Sequence, residues 1–149
     1  MANIFERLRI LEGTIEYQKY KGYYRSGKFY IYKDSLGYPT IGYGHLVQKG
    51  ENFTNGISPV EADRLLEKDV AIARLGVASL GLGKLDQDIE DYLVLMVFQL
   101  GLVGTKKFKK LLAAAKAGDR AGMIRESKDS LWFKQTPNRV HDLNNHLNK

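Results

Sequence analysis

The chain has 149 residues, of which 44% are hydrophobic and 27% charged, and its formal net charge is +6. This composition is typical of a soluble globular protein of one domain or two packed lobes, and it excludes wholesale disorder, collagen and a coiled coil. The chain contains no cysteine, which excludes disulfides, thiolate zinc sites and cysteine nucleophiles.

The N-terminal residues 3–13 are predicted to form a helix. Asn3 can cap its first turn, apolar residues follow at helical spacing, and Gly13 stands where a helix-ending glycine belongs. Charged residues in this segment also interrupt the apolar run that a signal peptide needs. We therefore expect the chain to be made in the cytoplasm.

A small antiparallel sheet is predicted next. Between residues 17 and 43 the helical spacing fades, and aromatic and β-branched residues alternate with glycine-containing turns. This pattern favours strands near 28–33 and 38–43. The polar segment 47–56 is expected to be a loop.

The rest of the chain is predicted to be helical. Residues 58–61 (SPVE) form a strong helix start, and that helix should end near residue 75, where Gly76 breaks it. A mostly apolar helix that opens at Asp86 is expected to be the central buried helix. Further helices are predicted to start at Thr105, Asp119 and Thr136. One helix, a small sheet and a run of helices make an α+β architecture.

Positive charge is concentrated near the C-terminus. Residues 1–105 carry 12 basic and 13 acidic side chains, whereas residues 106–149 carry 11 basic and 4 acidic ones. Such an excess can attract a polyanion, which could be nucleic acid, an anionic membrane face or an anionic cell-wall polymer. A solvated lysine-rich surface explains the same excess equally well.

Four residues among the first 45 could carry chemistry: Glu12, Asp34, Thr40 and His45. Two carboxylates can divide the acid and base roles of glycoside hydrolysis. Spacing alone is a weak signal, because a glutamate at a helix end is usually solvated and an aspartate in a DSLG segment usually shapes a turn.

Several longer motifs strengthen the signal, because they occur in one order along most of the chain. These motifs are residues 3–13 (NIFERLRILEG), 31–46 (IYKDSLGYPTIGYGHL), 54–57 (TNGI), 96–101 (MVFQLG) and 132–139 (WFKQTPNR). In these segments and in their order, the chain resembles the phage T4-type lysozymes.

The resemblance implies a muramidase, which hydrolyses the β-1,4 bond between N-acetylmuramic acid and N-acetylglucosamine in peptidoglycan. It implies a lysozyme-like α+β fold with a small β lobe (14–57), a connecting helix (58–75) and a helical lobe (76–149) packed with helix 3–13. By resemblance, Glu12 matches the general acid, Asp34 the second carboxylate and Thr40 the hydroxyl that helps to hold the attacking water. The family inverts the anomeric centre and needs no metal or cofactor.

Other positions match supporting residues of the family. Arg139 matches an arginine that pairs with the catalytic glutamate, and His45 and Asp69 match an ion pair between the sheet region and the long helix. His45 is therefore interpreted as stabilising rather than catalytic. Four residues match positions that touch the glycan or the peptide stem: Leu46, Phe98, Gln99 and Phe108.

Aromatic residues in the second half of the chain have an alternative interpretation. Ordinary core packing is an equal alternative for Phe98 and Phe108. Trp132 is interpreted as a core anchor of the helical lobe and not as a platform for a sugar.

The chain departs from the family pattern between Glu12 and Asp34. That connection is longer by about a dozen residues, which is large against typical loop lengths, and the segment after Leu46 is shorter by a similar amount. The inserted segment, residues 14–30, is rich in tyrosine and positive charge. We expect it to add a strand or hairpin that packs on itself, and contact with glycan or an anionic polymer is the alternative.

Three classes of function remain in order of preference. The first is a lytic muramidase of phage type, and the second is a catalytically weak module of the same fold that binds peptidoglycan or belongs to a virion. The third is a nucleic-acid-binding protein, although the basic residues follow no nucleic-acid motif.

A lytic muramidase of phage type has definite expected partners and a definite expected location. We expect a monomer that acts on bacterial peptidoglycan, without nucleic acid, cofactor or stable membrane insertion, because the longest apolar-rich stretch, residues 92–104, is too short to span a bilayer. It should wait in the host cytoplasm and reach the wall after a holin-type lesion.

Overall fold

The structure, a computed structural model, describes residues 3–147 and divides the chain into two compact units, Met1–Asp69 and Val70–Lys149. The first unit contains α1 (Ile4–Glu12), α2 (Ile15–Lys21), β1 (Tyr24–Arg25), β2 (Lys28–Phe29), β3 (Tyr32–Lys33), β4 (Pro39–Ile41), β5 (His45–Leu46) and the first half of α3 (Pro59–Ser79). The second contains the rest of α3, then α4 (Gln87–Lys106), α5 (Lys109–Lys116), α6 (Arg120–Lys128), α7 (Leu131–Gln135) and α8 (Pro137–Asn145). The predicted α+β class is confirmed.

Helix α1 forms where its sequence predicts it. The side chain of Asn3 accepts a hydrogen bond from the N–H of Glu6, which caps the first turn. Gly13 ends the helix with a φ of 123°, and its N–H donates to the carbonyl of Arg9. The chain can therefore leave the helix directly after Glu12.

Helix α2 was not predicted, and the expectation of sheet from residue 17 onward is wrong there. The hydroxyl of Thr14 accepts from the N–H of Tyr17 at the start, and Gly22 in the left-handed conformation ends the helix. These caps outweigh the aromatic residues that favoured a strand. The hairpin expected in the inserted segment does form, as β1 and β2.

The sheets are smaller than predicted. The expected strand 28–33 is split: β2 pairs with β1, whereas β3 belongs to a second sheet of order β3-β4-β5. In that sheet Thr40 pairs with Tyr32 on one side and with Leu46 on the other. All pairs are antiparallel, and the segment 47–56 is a loop as predicted.

Helix α3 starts as predicted and ends later. The Ser58 hydroxyl accepts from the N–H of Glu61, and the Glu61 carboxylate accepts from the N–H of Ser58, which is a capping box. Gly76 does not break the helix. A β-carbon there would lie 3.2 Å from Val97 Cγ1, so the glycine permits close packing inside the second unit.

Helix α4 is the buried helix that the sequence predicts, with an uninterrupted buried run from Tyr92 to Val97. The prediction that Thr105 caps a new helix is wrong. Gly101, with a φ of 77°, kinks α4, and the Thr105 hydroxyl donates to the Gly101 carbonyl within it. The next helix, α5, starts at Lys109.

The last helices follow local signals. Asp119 caps α6 through the N–H of Gly122, and Pro137 occupies the first turn of α8, both as predicted. The short helix α7 was not predicted, and Ser130 caps it. Among residues 3–147, no helix combines the length and apolar character needed to cross a membrane.

Candidate active site

The three predicted catalytic residues all belong to the first unit. Glu12 is the last residue of α1, Asp34 follows β3, and Thr40 is the middle residue of β4. Glu12 and Asp34 are half-buried, and Thr40 is buried. Their assigned roles stay predictions, but their surroundings show what each side chain can do.

The side chain of Glu12 lies against the backbone of Gly44. A β-carbon built on Gly44 would stand 2.5 Å from Glu12 Oε1 and 2.6 Å from its Cδ. Gly44 lies in the tight turn between β4 and β5, with a φ of 82°. The turn thus presents bare backbone to the carboxyl group, and any larger residue would displace it.

The turn after β3 holds Asp34 by one oxygen of its carboxylate. Asp34 Oδ1 accepts hydrogen bonds from the N–H groups of Leu36 and Tyr38, each 2.9 Å long. Gly37 closes the same turn through the Asp34 carbonyl. Because both of these hydrogen bonds end on Oδ1, the turn leaves Oδ2 able to accept a hydrogen bond or a proton.

Thr40 is buried in the middle of the three-stranded sheet. Its hydroxyl donates to the carbonyl of Tyr38, at 3.0 Å. The hydroxyl proton is therefore committed to the backbone, and the oxygen lone pairs can accept a hydrogen bond from a water molecule.

Tyr32 is a member of the site that the sequence analysis missed. It pairs with Thr40 across β3 and β4, and its ring stacks on Tyr23 with centroids 4.5 Å apart. Burial raises the pKa of the Tyr32 phenol, and the negative charges of Glu12 and then Asp34 raise it further. One phenol therefore lies in the electrostatic field of both carboxylates.

The predicted contact between His45 and Asp69 is present in the first unit. His45 Nδ1 lies 2.8 Å from Asp69 Oδ2, and its Nε2 lies 2.9 Å from Oε1 of Glu51, an acid that the sequence analysis did not single out. The hydrogen bond to Asp69 raises the pKa of His45, burial opposes this, and the bond to Glu51 adds to the rise. The imidazole ties β5 to α3 and to the following loop.

The predicted contacts of the glycan or peptide stem lie in both units. Leu46 on β5 is exposed, and Phe98 on α4 is half-buried. In the second unit Gln99 accepts from Trp132 Nε1 at 2.9 Å and donates to the Thr136 hydroxyl at 3.3 Å. The amide of Gln99 thus has protein partners at both ends.

Trp132 is a core residue of the second unit, as predicted. It is buried, and Phe108 meets its ring edge-on at 5.7 Å. This contact gives Phe108 a packing role. Arg139 is half-buried on α8, and the pairing that the resemblance gives it stays a prediction.

Comparison with known proteins assigns the sequence to a family. The sequence profile described as "Phage lysozyme" matches residues 24–148. The chain belongs to the phage lysozyme family. The matched range contains Asp34, Thr40 and His45 and begins after Glu12.

Relatives of known name show the same kinship. The chain is 33% identical over 135 residues to the pre-baseplate central spike protein Gp5 of Enterobacteria phage T4, covering 74% of this chain and 24% of that protein. It is 31% and 29% identical over 138 residues to the probable T4-type lysozymes 2 and 1 of Dictyostelium discoideum, covering 75% of this chain and 81% of each relative.

Family membership confirms the resemblance and the lysozyme-like α+β fold. It supports a glycoside hydrolase. The chain spans about a quarter of the spike protein and four-fifths of the two lysozymes. Within residues 3–147, no group of three or more histidine and acidic residues is placed to hold a metal ion.

Proposed function

We propose that the chain hydrolyses the β-1,4 bond between N-acetylmuramic acid and N-acetylglucosamine in bacterial peptidoglycan, with inversion at the anomeric carbon. Glu12 is the general acid, Asp34 the general base, and Thr40 positions the attacking water. Family membership supports the reaction class. The arrangement of the first unit supports the assignment of the roles.

Glu12 protonates the leaving oxygen of the glycosidic bond. A sugar alkoxide is a poor leaving group, so bond cleavage needs a proton from a carboxylic acid held close to that oxygen. The contact with Gly44 restricts the orientations of the Glu12 side chain. A side chain that is already restricted loses less conformational entropy when it reaches the reactive geometry.

Asp34 and Thr40 act on the water. The Thr40 oxygen accepts one hydrogen bond from the water, because its own proton points to the Tyr38 carbonyl. The oxygen of the water attacks the anomeric carbon, and Asp34 Oδ2 takes a proton from that water. The negative charge of the Asp34 carboxylate also stabilises the developing oxocarbenium ion. Oδ1 stays bonded to the turn during this step.

The observation that carries the proposal is the phenol of Tyr32. Burial raises its pKa most, the charges of Glu12 and then Asp34 raise that pKa further, and its backbone pairs with Thr40. Tyr32 therefore pairs with Thr40 and lies in the electrostatic field of both carboxylates, which supports assigning the three roles to one site.

Glu12→Gln is the first test, with Glu16→Gln on the exposed face of α2 as the matched control. With purified peptidoglycan we expect Glu12→Gln to lower the release of reducing sugar by about 10²- to 10⁴-fold and the control to match the parent chain. Lysis by Glu12→Gln near the parental rate would contradict the role.

The stereochemistry has its own test. Proton NMR of the first-formed product distinguishes the two outcomes, because attack by water on the opposite face of a β-linked sugar yields the α-anomer. An initial β-anomer would replace inversion by retention and make Asp34 a nucleophile.

A second candidate function is a virion-associated module, favoured by the match to the T4 spike protein. It predicts tight binding to insoluble peptidoglycan with little release of sugar. In the lytic role, by contrast, the enzyme acts from the host cytoplasm after the inner membrane is breached. A sedimentation assay run beside the reducing-sugar assay separates binding from hydrolysis.

A further inference from the structure

We propose that Gln18, in the inserted segment 14–30, is a positioning residue that holds the Glu12 end of α1 against the β4–β5 turn. This inference rests on the proposed function, in which Glu12 is the general acid. It assigns the insertion a role in the reaction: a buried amide joins the two pieces of backbone that border Glu12.

Gln18 is a polar side chain at a buried position. Only 1% of it is exposed, although its helix, α2, presents Tyr17 and Tyr20 to solvent. Burying an amide is favourable only when its groups are hydrogen-bonded. Gln18 Nε2 meets this requirement with two backbone carbonyls, those of Gly13 and Gly42, each at 2.9 Å.

The first of these carbonyls belongs to the residue directly after Glu12. The N–H of Gly13 is bonded to Arg9 inside α1, and its C=O is bonded to Gln18. The Gln18 side chain also packs on Gly13, where an added β-carbon would lie 3.4 Å from Gln18 Cγ. The amide therefore fixes the peptide that leaves the helix at Glu12.

The second carbonyl belongs to the turn that contacts Glu12. Gly42 is two residues after Thr40 and two before Gly44, whose backbone touches the Glu12 side chain. A β-carbon on Gly42 would lie 3.3 Å from Ala62 Cβ, so the turn rests on α3. Gln18 thus joins α1 to a turn that is already supported.

The orientation of the amide is set by chemistry. Two carbonyl oxygens can accept only from a donor, so Nε2 must face both, and exchanging it with Oε1 would place three acceptors together. Within residues 3–147, Gln18 Oε1 has no hydrogen-bond partner. The two N–H donors of Nε2 therefore make the hydrogen bonds of this buried amide.

A second contact of the insertion reaches the strand that precedes the other carboxylate. Tyr23 follows α2 and stacks face to face on Tyr32, with 9° between the rings. Tyr32 lies one residue before Lys33 and two before Asp34. The insertion therefore contacts the backbone that carries Glu12 and the strand that leads to Asp34.

The test is Gln18→Met, which keeps the length of the side chain and removes both donors. With a soluble peptidoglycan fragment we expect kcat to fall about 10- to 100-fold, the size expected when a reacting group is misplaced by a fraction of an ångström to one ångström. KM should change little, because Gln18 is buried and does not touch substrate. Tyr20→Met, at an exposed position of the same helix, should leave both constants unchanged.

Loss of stability must be separated from loss of position. Leu66→Ala on α3 removes a buried side chain of the same unit and leaves both hydrogen-bond donors of Gln18 in place. Both variants are assayed well below their melting temperatures. A parental kcat in Gln18→Met, or an equal fall of kcat in Leu66→Ala, would overturn the proposal.

Gln18→Glu is the second variant if Gln18→Met does not fold. A protonated carboxyl can donate to one carbonyl and an ionised one to neither. The kcat of Gln18→Glu should therefore decline with rising pH where the parent chain is still active. A pH profile identical to that of the parent would count against positioning.

A readout without activity keeps this inference separate from the proposed function. In the parent chain the amide signal of Gly44 should shift as Glu12 titrates, and in Gln18→Met that shift should shrink. If the parent chain hydrolyses no peptidoglycan, the proposed function fails while the NMR result still decides whether Gln18 holds Glu12. An unchanged Gly44 response in a folded Gln18→Met would overturn the positioning role.

Discussion

Gly44 lies so close to Glu12 that no side chain fits between them. A β-carbon on Gly44 would stand 2.5 Å from Glu12 Oε1, and the φ of 82° at Gly44 independently disfavours any residue with a β-carbon. The left-handed backbone of Gly44 and its close contact with Glu12 have different consequences. Backbone strain acts on stability, whereas the contact acts on the orientation of the proposed acid.

Gly44→Ala should therefore lower both stability and activity. The left-handed backbone costs about 1–2 kcal/mol for a residue with a β-carbon, and displacement of Glu12 should lower kcat about 100-fold. Gly22→Ala is the matched control, since its φ is 84° and nothing lies within 4 Å of the added carbon. Chemical denaturation and turnover of peptidoglycan measure the two effects. Equal activity losses in the two variants would deny the contact any specific role.

Asp34→Asn should separate the charge of Asp34 from its structural bonds. The amide oxygen of asparagine can still accept from Leu36 and Tyr38, so the turn should persist while activity falls at least about 100-fold. Asp34→Ala loses both bonds, and its free energy of unfolding should drop by about 1–3 kcal/mol. Similar stability of the parent chain, Asp34→Asn and Asp34→Ala would show that the turn does not depend on Asp34 Oδ1.

The same Asp34→Asn variant should change the titration of Tyr32. The negative charge of Asp34 contributes to the raised pKa of the phenol, so its removal should bring that pKa down toward the ordinary value. NMR of ring-labelled tyrosine measures the change, and Tyr32→Phe assigns the signal. A Tyr32 pKa that is unaffected would show that the charge of Asp34 does not reach the phenol.

Local signals explain which elements could be predicted. Asn3 with Gly13 and the capping box of Ser58 and Glu61 act over a few residues, and each marks a helix end correctly. Helix α2 carries the same kind of signal in Thr14 and Gly22, but its tyrosines favoured a strand. A closer search for caps would have found it.

The site could be predicted only in part, because its remaining members act through contacts distant in sequence. Spacing gives Glu12, Asp34 and Thr40 only a weak signal, and their roles rest on the resemblance. The burial of Gln18 depends on a carbonyl 24 residues away, and the need for glycine at position 44 depends on Glu12. No periodicity records such contacts, so the sequence predicts only a hairpin that packs on itself.

His45 should make stability depend on pH. Its pKa is raised from 6.5 in the folded protein, mainly by the bond to Asp69 and further by Glu51, against burial. The folded state therefore binds the proton more tightly than the unfolded chain does. This stabilisation is complete below pH 6.5 and is lost as the pH rises through the folded pKa, because a neutral imidazole has one N–H for two carboxylates.

His45→Asn should accordingly lower the free energy of unfolding by about 2 kcal/mol at about pH 5.5 and by less in alkaline solution. Urea titrations over that range measure the difference. His141→Asn, at an exposed position of α8, is the control and should leave the pH slope unchanged. A parental slope in His45→Asn would assign the pH dependence to other groups.

Asn144 joins three helices of the second unit through a buried polar network. Its Oδ1 accepts from the Tyr92 hydroxyl at 3.0 Å, and its Nδ2 donates to the Ser127 hydroxyl at 3.1 Å. Burial raises the pKa of Tyr92 to about 12. The phenol is therefore held as a neutral donor and depends on Asn144 as its acceptor.

Replacing Asn144 by leucine should cost more than the loss of one hydrogen bond. The change keeps the size of the side chain but leaves the buried Tyr92 hydroxyl without its acceptor, so we expect a loss of about 2–4 kcal/mol. Tyr92→Phe in that background removes the stranded hydroxyl and should recover part of the loss, whereas Tyr92→Phe alone should destabilise. Urea unfolding of the four chains gives the coupling energy. Additive effects would mean that the two side chains do not depend on each other, and the network would then be no more than two adjacent polar groups.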